Sequence, residues 1–246
     1  MTKENCKLPK IKICGLTKKE EAAYLNEIEA DYAGFVFFEK SKRNISFEKA
    51  SEIMKELNPK IQKVAVIVSP DEEMIEKLNN SEFDIVQVHG DITLERLQKI
   101  KKPIWRAINI QGNWEEHINE LNLNIEKTSD GQGEILLDGK EKSNGNSGIS
   151  GILIDSANFG SGKTFEWEKV KGNLSQGILD NNSSGKRWRP LFILAGGLNS
   201  ENVREGIEIF KPDVVDVSSG VEGENGKDRT KILEFAKAVR KIKASP

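Results

Sequence analysis

The sequence predicts one α/β domain, a closed (β/α)8 barrel, and two observations predict it. Eight short runs of β-branched and apolar residues recur along the chain, and amphipathic stretches lie between them. The runs are nearly continuous in hydrophobicity, as strands buried on both faces must be. The 246 residues also suit one such barrel of about 250 residues, as they would two small domains, so length agrees with the fold without choosing it.

The apolar runs fall at 11–14, 32–37, 64–68, 85–88, 104–108, 152–154, 191–195 and 214–217. Helical periodicity is clearest over residues 47–57, where Phe47, Ala50, Ile53, Met54 and Leu57 recur at three- and four-residue spacing. Ser46 is placed to cap the start of that helix. The last stretch, with Ile232, Phe235, Ala236, Val239 and Ile242, repeats the period. Alternation sustained about eight times favours a closed barrel over an open sheet.

Two stretches break the alternation. Residues 126–150 and 173–189 are rich in Gly, Asn, Ser and charge, and read as polar surface insertions in a single domain spanning 1–246. The first contains a short run, 135–138, ending in Asp138, which competes with the run ending in Asp155 for the sixth strand. Asp155 is favoured by the Gly-rich segment 160–165 that follows it, whereas Asp138 leads into Gly139 and a charged tract.

Composition narrows the partners. Charged residues make up 31% of the chain, yet the formal net charge is only −2, and no segment concentrates Lys and Arg around aromatics. Nucleic acid and membrane surfaces are therefore not expected partners. Residues 1–10 are polar, no apolar run approaches the roughly 20 residues of a membrane span, and Cys6 and Cys14 are too few for a disulfide framework. The expectation is a cytoplasmic protein.

Function in such a barrel sits on the loops at the C-terminal ends of the strands. There the sequence places Cys14, Arg43, His89, Asp155, Gly196-Gly197 and Ser219-Gly220. The last two pairs follow the seventh and eighth strands, the usual phosphate site of this architecture, and glycine lets the backbone approach an anion. One Gly-Gly pair alone would be an ordinary turn; two such loops on adjacent strands favour a phosphate site. A lone cysteine is most often a small buried hydrophobe, but Cys14 ends a strand before Gly15, where a nearby phosphate or helix start would lower its pKa and make it a base. Asp155 could simply cap a turn; partly desolvated, it would keep its proton longer and act as an acid. His89 reads as an acid–base or binding group or as a structural histidine, and His117 as helix surface. The segment 160–164 ends like a P-loop, but Ala157 stands where that motif needs glycine. No His, Cys and carboxylate set has metal-ligand spacing, so no metal is expected.

Taken together these segments resemble phosphoribosylanthranilate isomerases. The resemblance rests on Lys12-Ile13-Cys14-Gly15-Leu16-Thr17, on Gly34-Phe35-Val36-Phe37 with Ser41-Lys42-Arg43-Asn44, and on Val86-Gln87-Val88-His89-Gly90-Asp91. It continues through 160–167, through Ala195-Gly196-Gly197-Leu198 with Glu201-Asn202-Val203, and through Asp216-Val217-Ser218-Ser219-Gly220-Val221-Glu222 followed by Lys227-Asp228. The resemblance implies an Amadori rearrangement of a small phosphorylated substrate without cofactor or metal, by a monomer or homodimer. It further implies Asp155 as general acid, Cys14 as general base, Arg43 facing the anthranilate part, and the two glycine loops holding the phosphate. The chain departs from the family pattern at Lys42, where proline is usual, at Phe159 and Ser161, and in the length of its two insertions.

Rival readings make different demands. The histidine-pathway isomerase would need Asp where the first strand ends in Cys14. Indole-3-glycerol-phosphate synthase would need a catalytic lysine on the early strands, and the strand ends offer none inside a strand. A phosphate-binding barrel without turnover would tolerate loss of Cys14 or Asp155. A nucleotide-binding switch is disfavoured by Ala157.

Overall fold

A computed structural model describes residues 8–109, 148–155 and 190–241. Cys6, His117, Asp138, Ala157, Phe159, Ser161, the 160–167 motif and Ile242 lie outside the described residues, as do 126–147 and 173–189 of the two insertions. Eight strands, β1 (Lys10–Cys14), β2 (Tyr32–Phe37), β3 (Gln62–Val68), β4 (Ile85–His89), β5 (Ile104–Asn109), β6 (Ile149–Asp155), β7 (Leu191–Ala195) and β8 (Val214–Val217), pair in chain order. Every pairing is parallel, and β8 returns to β1, so the barrel is closed. Closure leaves no strand edge exposed. The run ending in Asp155 occupies the sixth position, hydrogen-bonded between β5 and β7.

Side-chain alternation divides the apolar residues into two packed zones. Tyr32, Val64, Val66, Ile85, Trp105, Leu153, Ile193 and Val214 face inward and fill the barrel, with the Tyr32 and Trp105 rings edge to face at 4.8 Å between centroids. The alternate positions, among them Ile11, Ile13, Phe35, Ile67, Val86, Ile152, Leu194 and Val215, face outward. They are covered by the helices α1 (Lys19–Glu27), α2 (Phe47–Met54), α3 (Glu72–Asn79), α4 (Leu94–Lys99), α5 (Val203–Phe210) and α6 (Arg229–Arg240). The Ser46 side chain accepts from the Lys49 amide at 3.3 Å, as expected, and Asp71, Thr93 and Asp228 cap α3, α4 and α6 in the same way. Helix α2 is shorter than its apolar period, because the Leu57 amide turns back to the Met54 carbonyl and Pro59 follows.

Three strands extend beyond their apolar runs at the N-terminal end, because ladder hydrogen bonds there tolerate polar side chains. β1 begins at Lys10, β3 at Gln62 and β6 at Ile149. At that end Asp31, Asp84 and Asp213 each precede an even-numbered strand. Their carboxylates accept from the amides of Ile11, Lys63 and Phe192 on the preceding odd-numbered strands, at 2.8, 2.7 and 2.8 Å. This repeated staple ties three strand pairs on the face of the barrel that carries stability rather than chemistry.

Candidate active site at the C-terminal mouth of the barrel

Parallel pairing delivers all eight strand ends to one mouth. Cys14 ends β1 beside Gly34 of β2, and Asp155 ends β6 between Asn109 of β5 and Ala195 of β7. His89 is the last residue of β4, opposite Val68 of β3, so it belongs to the strand rather than to the following loop. Inward parity then stacks Lys12 one layer beneath Cys14 on the same strand.

That layer is charged. Lys12 is fully buried, and its Nζ donates to Asp216 Oδ2 of β8 at 2.8 Å. Burial alone would favour neutral Lys12, but Asp216, and after it Cys14, outweigh burial and hold the ammonium charged. The other carboxylate oxygen, Asp216 Oδ1, is buried and has no hydrogen-bond partner among the described residues. A buried ammonium two residues before a thiol is the feature that strand patterning missed. The strand ends considered from sequence hold no lysine, but Lys12 sits two residues further in, within β1 among apolar neighbours. Its signal was available: a lysine with the same inward parity as Cys14.

The field of this pair reaches the candidate acid and base. Burial pushes the Cys14 thiol up, Lys12 and Lys227 oppose the rise, and Asp216 adds to it. The expected lowering of this thiol is therefore not present in the free protein; desolvation wins over the cations. Burial also pushes the Asp155 carboxyl up, with Asp216 adding to the rise and Lys12 opposing it. Burial, with Lys12 and then Arg106, drives His89 down to about 4. His89 is thus a neutral imidazole at pH 7, and its Nε2 lies 2.8 Å from the Gln87 side-chain nitrogen, inside the barrel.

The loop after β2 brings Arg43 over β1. Gly15 adopts φ +84°, a conformation natural to glycine, and a Cβ there would collide with the Arg43 side chain. The guanidinium reaches the loop after β8, where Arg43 Nε and Nη2 donate to Glu222 at 2.5 and 3.0 Å. Lys42 and Lys227 join the same carboxylate, each at 2.9 Å. Burial would raise the Glu222 carboxyl, but hydrogen bonds from Arg43, Lys42 and Lys227 outweigh it and hold it at about 2. Glu222 and Lys227 belong to a two-stranded hairpin, β9 (Glu222–Gly223) and β10 (Gly226–Lys227). Lys227 also donates to the Ser218 carbonyl, while the Ser218 hydroxyl donates to the Cys14 carbonyl at 2.9 Å. Strand patterning did not reveal this hairpin, since both its strands are two residues long.

The two glycine loops meet. Gly196 and Gly197 take φ +87° and +63°, Ser219, Gly220 and Val221 form a 3₁₀ turn, and a Cβ on Gly220 would run into the Leu198 carbonyl. Asn202 fixes the first loop by donating to the Gly197 carbonyl at 3.0 Å and accepting from the Asn199 amide at 2.8 Å. Among the described residues no group of three or more His, Cys, Asp or Glu is placed to hold a metal ion, and no helix is long and apolar enough to cross a membrane.

A closed parallel barrel with a thiol, a carboxyl and fixed cations at its C-terminal mouth defines the class: a (β/α)8-barrel enzyme. The comparisons with known proteins give the family. A profile of N-(5'phosphoribosyl)anthranilate (PRA) isomerase matches residues 11–238. The N-(5'-phosphoribosyl)anthranilate isomerase of Thermoanaerobacter sp. (strain X514) is 38% identical over 237 residues, covering 95% of this chain and 99% of its own. The crystal structure of phosphoribosyl anthranilate isomerase from Thermotoga maritima is similar with a TM-score of 0.72 at 31% identity, over 95% of this chain and 99% of that one. A structure of such an isomerase with reduced 1-(o-carboxyphenylamino)-1-deoxyribulose 5-phosphate gives 0.68 at 30% identity, over the same shares. The chain belongs to the N-(5'-phosphoribosyl)anthranilate isomerase family.

Proposed function

We infer that this chain catalyses the reaction of its family, the Amadori rearrangement of N-(5-phosphoribosyl)anthranilate to 1-(2-carboxyphenylamino)-1-deoxyribulose 5-phosphate in tryptophan biosynthesis, with Asp155 as general acid and Cys14 as general base. The observation that carries the assignment of roles is the placement of these two groups. Each ends an inward-facing strand position at the mouth, and Lys12 and Asp216 act on both.

The chemistry divides into two proton transfers. Asp155, whose carboxyl is held up by burial, keeps its proton long enough to deliver it to the furanose ring oxygen. The C1–O bond breaks, the nitrogen lone pair forms the imine, and the sugar opens. Cys14 as thiolate then takes the proton from C2, and the electron pair moves toward the iminium nitrogen to give an enolamine. Reprotonation at C1 and loss of the hydroxyl proton at C2 yield the ketone. Hydrogen is redistributed within one molecule, so the overall reaction needs no external oxidant or reductant, and we assign no cofactor and no metal. Lys12, charged and buried next to the thiol, favours the thiolate when the base is called on.

Binding follows the same geometry. Arg43 offers a planar cation to the anthranilate half, with His89 as a neutral neighbour on that mouth. Gly196, Gly197, Ser219 and Gly220 bring two backbone turns together for the phosphate. We read the chain as one catalytic domain acting in the cytoplasm on a small phosphorylated substrate, without nucleic-acid or membrane partners. The Thermotoga maritima isomerase is dimeric, and a monomer or a homodimer fits this chain. The test is fluorimetric. Purified protein added to N-(5-phosphoribosyl)anthranilate should abolish the substrate's fluorescence with turnover; an unchanged signal at high protein concentration would refute the activity.

A further inference from the structure

Glu222 joins three cations to one carboxylate. Arg43 Nε lies 2.5 Å from Oε1 and Nη2 3.0 Å from Oε2; Lys42 Nζ sits 2.9 Å from Oε2 and Lys227 Nζ 2.9 Å from Oε1. The Glu222 side chain is 11% exposed and that of Lys227 is 1% exposed, so Glu222, Lys227 and the 23% exposed Arg43 form a fixed centre, with Lys42, 71% exposed, at its solvent edge. Below it the hairpin is pinned by Glu21, whose Oε1 accepts from the Lys227 amide at 2.8 Å.

This arrangement orients a second edge of the guanidinium. Arginine carries five N–H donors in one plane. Glu222 takes the Nε–H and one Nη2–H, and no described residue accepts from Nη1. Holding one edge of a planar fork fixes the direction of the other. Packing of the Arg43 stem over Gly15 removes the remaining freedom. Three positive charges against one negative also leave the cluster with an excess of two, which favours an incoming anion. Lys42, which stands where the family usually has proline, contributes one of these charges.

We propose that Glu222 is the positioning residue of Arg43, gripping its Nε/Nη2 edge so that the Nη1/Nη2 edge is presented to the carboxylate on the aromatic half of the substrate. This rests on the reading of Arg43 given above. Glu222 itself does not touch substrate; it sets the plane and direction of the group that does.

The experiment compares two substrates of one enzyme: N-(5-phosphoribosyl)anthranilate and N-(5-phosphoribosyl)aniline, which lacks the carboxylate. The wild type should prefer the first in kcat/KM by about tenfold or more, the worth of one charge-assisted hydrogen-bond pair. Glu222→Gln, nearly isosteric, should raise KM for the anthranilate substrate about tenfold, with kcat changed by no more than about twofold. The aniline substrate should be nearly indifferent. Glu222→Asp, which keeps the charge but draws it back from Arg43, should give a smaller loss with the same selectivity and provides a second route if the first variant does not fold. Equal losses on both substrates would show a brace for the loop and overturn the proposal, as would no loss on either. Arg43→Ala separates the two levels. If it erases the preference while Glu222→Gln preserves it, only the positioning role falls; if it leaves the preference intact, the assignment of Arg43 falls first.

Discussion

Lys12 and Asp216 form a buried ion pair across β1 and β8, 2.8 Å from Nζ to Oδ2, one layer beneath the Cys14 thiol. The pair exerts opposite influences on that thiol: the ammonium draws its pKa down and the carboxylate pushes it up. Removing one member should therefore expose the other.

Alkylation by iodoacetamide, followed as a function of pH with Cys6→Ser as the background, reads the Cys14 thiolate. In the parent the rate should still be rising above pH 9, since burial holds the thiol above its usual value. Asp216→Asn should shift the curve to lower pH, and Lys12→Met to higher pH. Shifts of the same sign would contradict the account. Lys12→Met should also cost about 3–5 kcal/mol of stability, because it strands Asp216 without its partner; Asp216→Asn keeps the readout available if that variant does not fold.

Acid should weaken the fold in two windows. His89 has its folded value lowered to about 4 from the usual 6.5. Its contribution is thus fully present above about pH 6.5 and is lost as pH falls toward 4, on the order of 3 kcal/mol. Glu222 is lowered to about 2 from 4.5, so its contribution is lost only as pH falls from about 4.5 toward 2. Urea unfolding at a series of pH values should show the first slope diminish in His89→Gln and the second diminish in Glu222→Gln. An unchanged slope between pH 6.5 and 4 in His89→Gln would contradict the buried neutral imidazole.

Gly220→Ala should damage phosphate binding more than the fold. Its Cβ would meet the Leu198 carbonyl, forcing apart the two loops that we assign to the phosphate. The expected cost is about 1–3 kcal/mol in stability with a KM raised about tenfold or more. A KM equal to that of the parent would separate this loop contact from the phosphate site.

The barrel was legible because strands buried on both faces leave continuous apolar runs, and seven of the eight ran close to their true bounds. The run at 152–154 is the exception. Its strand starts three residues earlier, at Ile149, where Ser150 and Gly151 interrupt hydrophobicity and Ser150 is skipped by a register shift against β5 before pairing resumes at Gly151. At the mouth, Cys14 and Asp155 were legible as strand ends. Lys12, Asp216, Glu222 and Lys227 were not read as a network, because ion pairs 204 residues apart in sequence and a hairpin of two-residue strands leave no periodic trace. The height of the Cys14 thiol was misjudged for a related reason: desolvation depends on what packs around the group, here the cover of Gly34 and the closed barrel wall.

The most direct test of the acid–base pair is single-site kinetics by loss of substrate fluorescence, with folding checked by circular dichroism. Cys14→Ala and Asp155→Asn should each lower kcat by about three orders of magnitude or more, since each removes one proton-transfer role, while Asp138→Asn turns over like the parent. Near-normal turnover in Asp155→Asn, with the loss appearing in Asp138→Asn instead, would contradict the assignment of Asp155 as the acid.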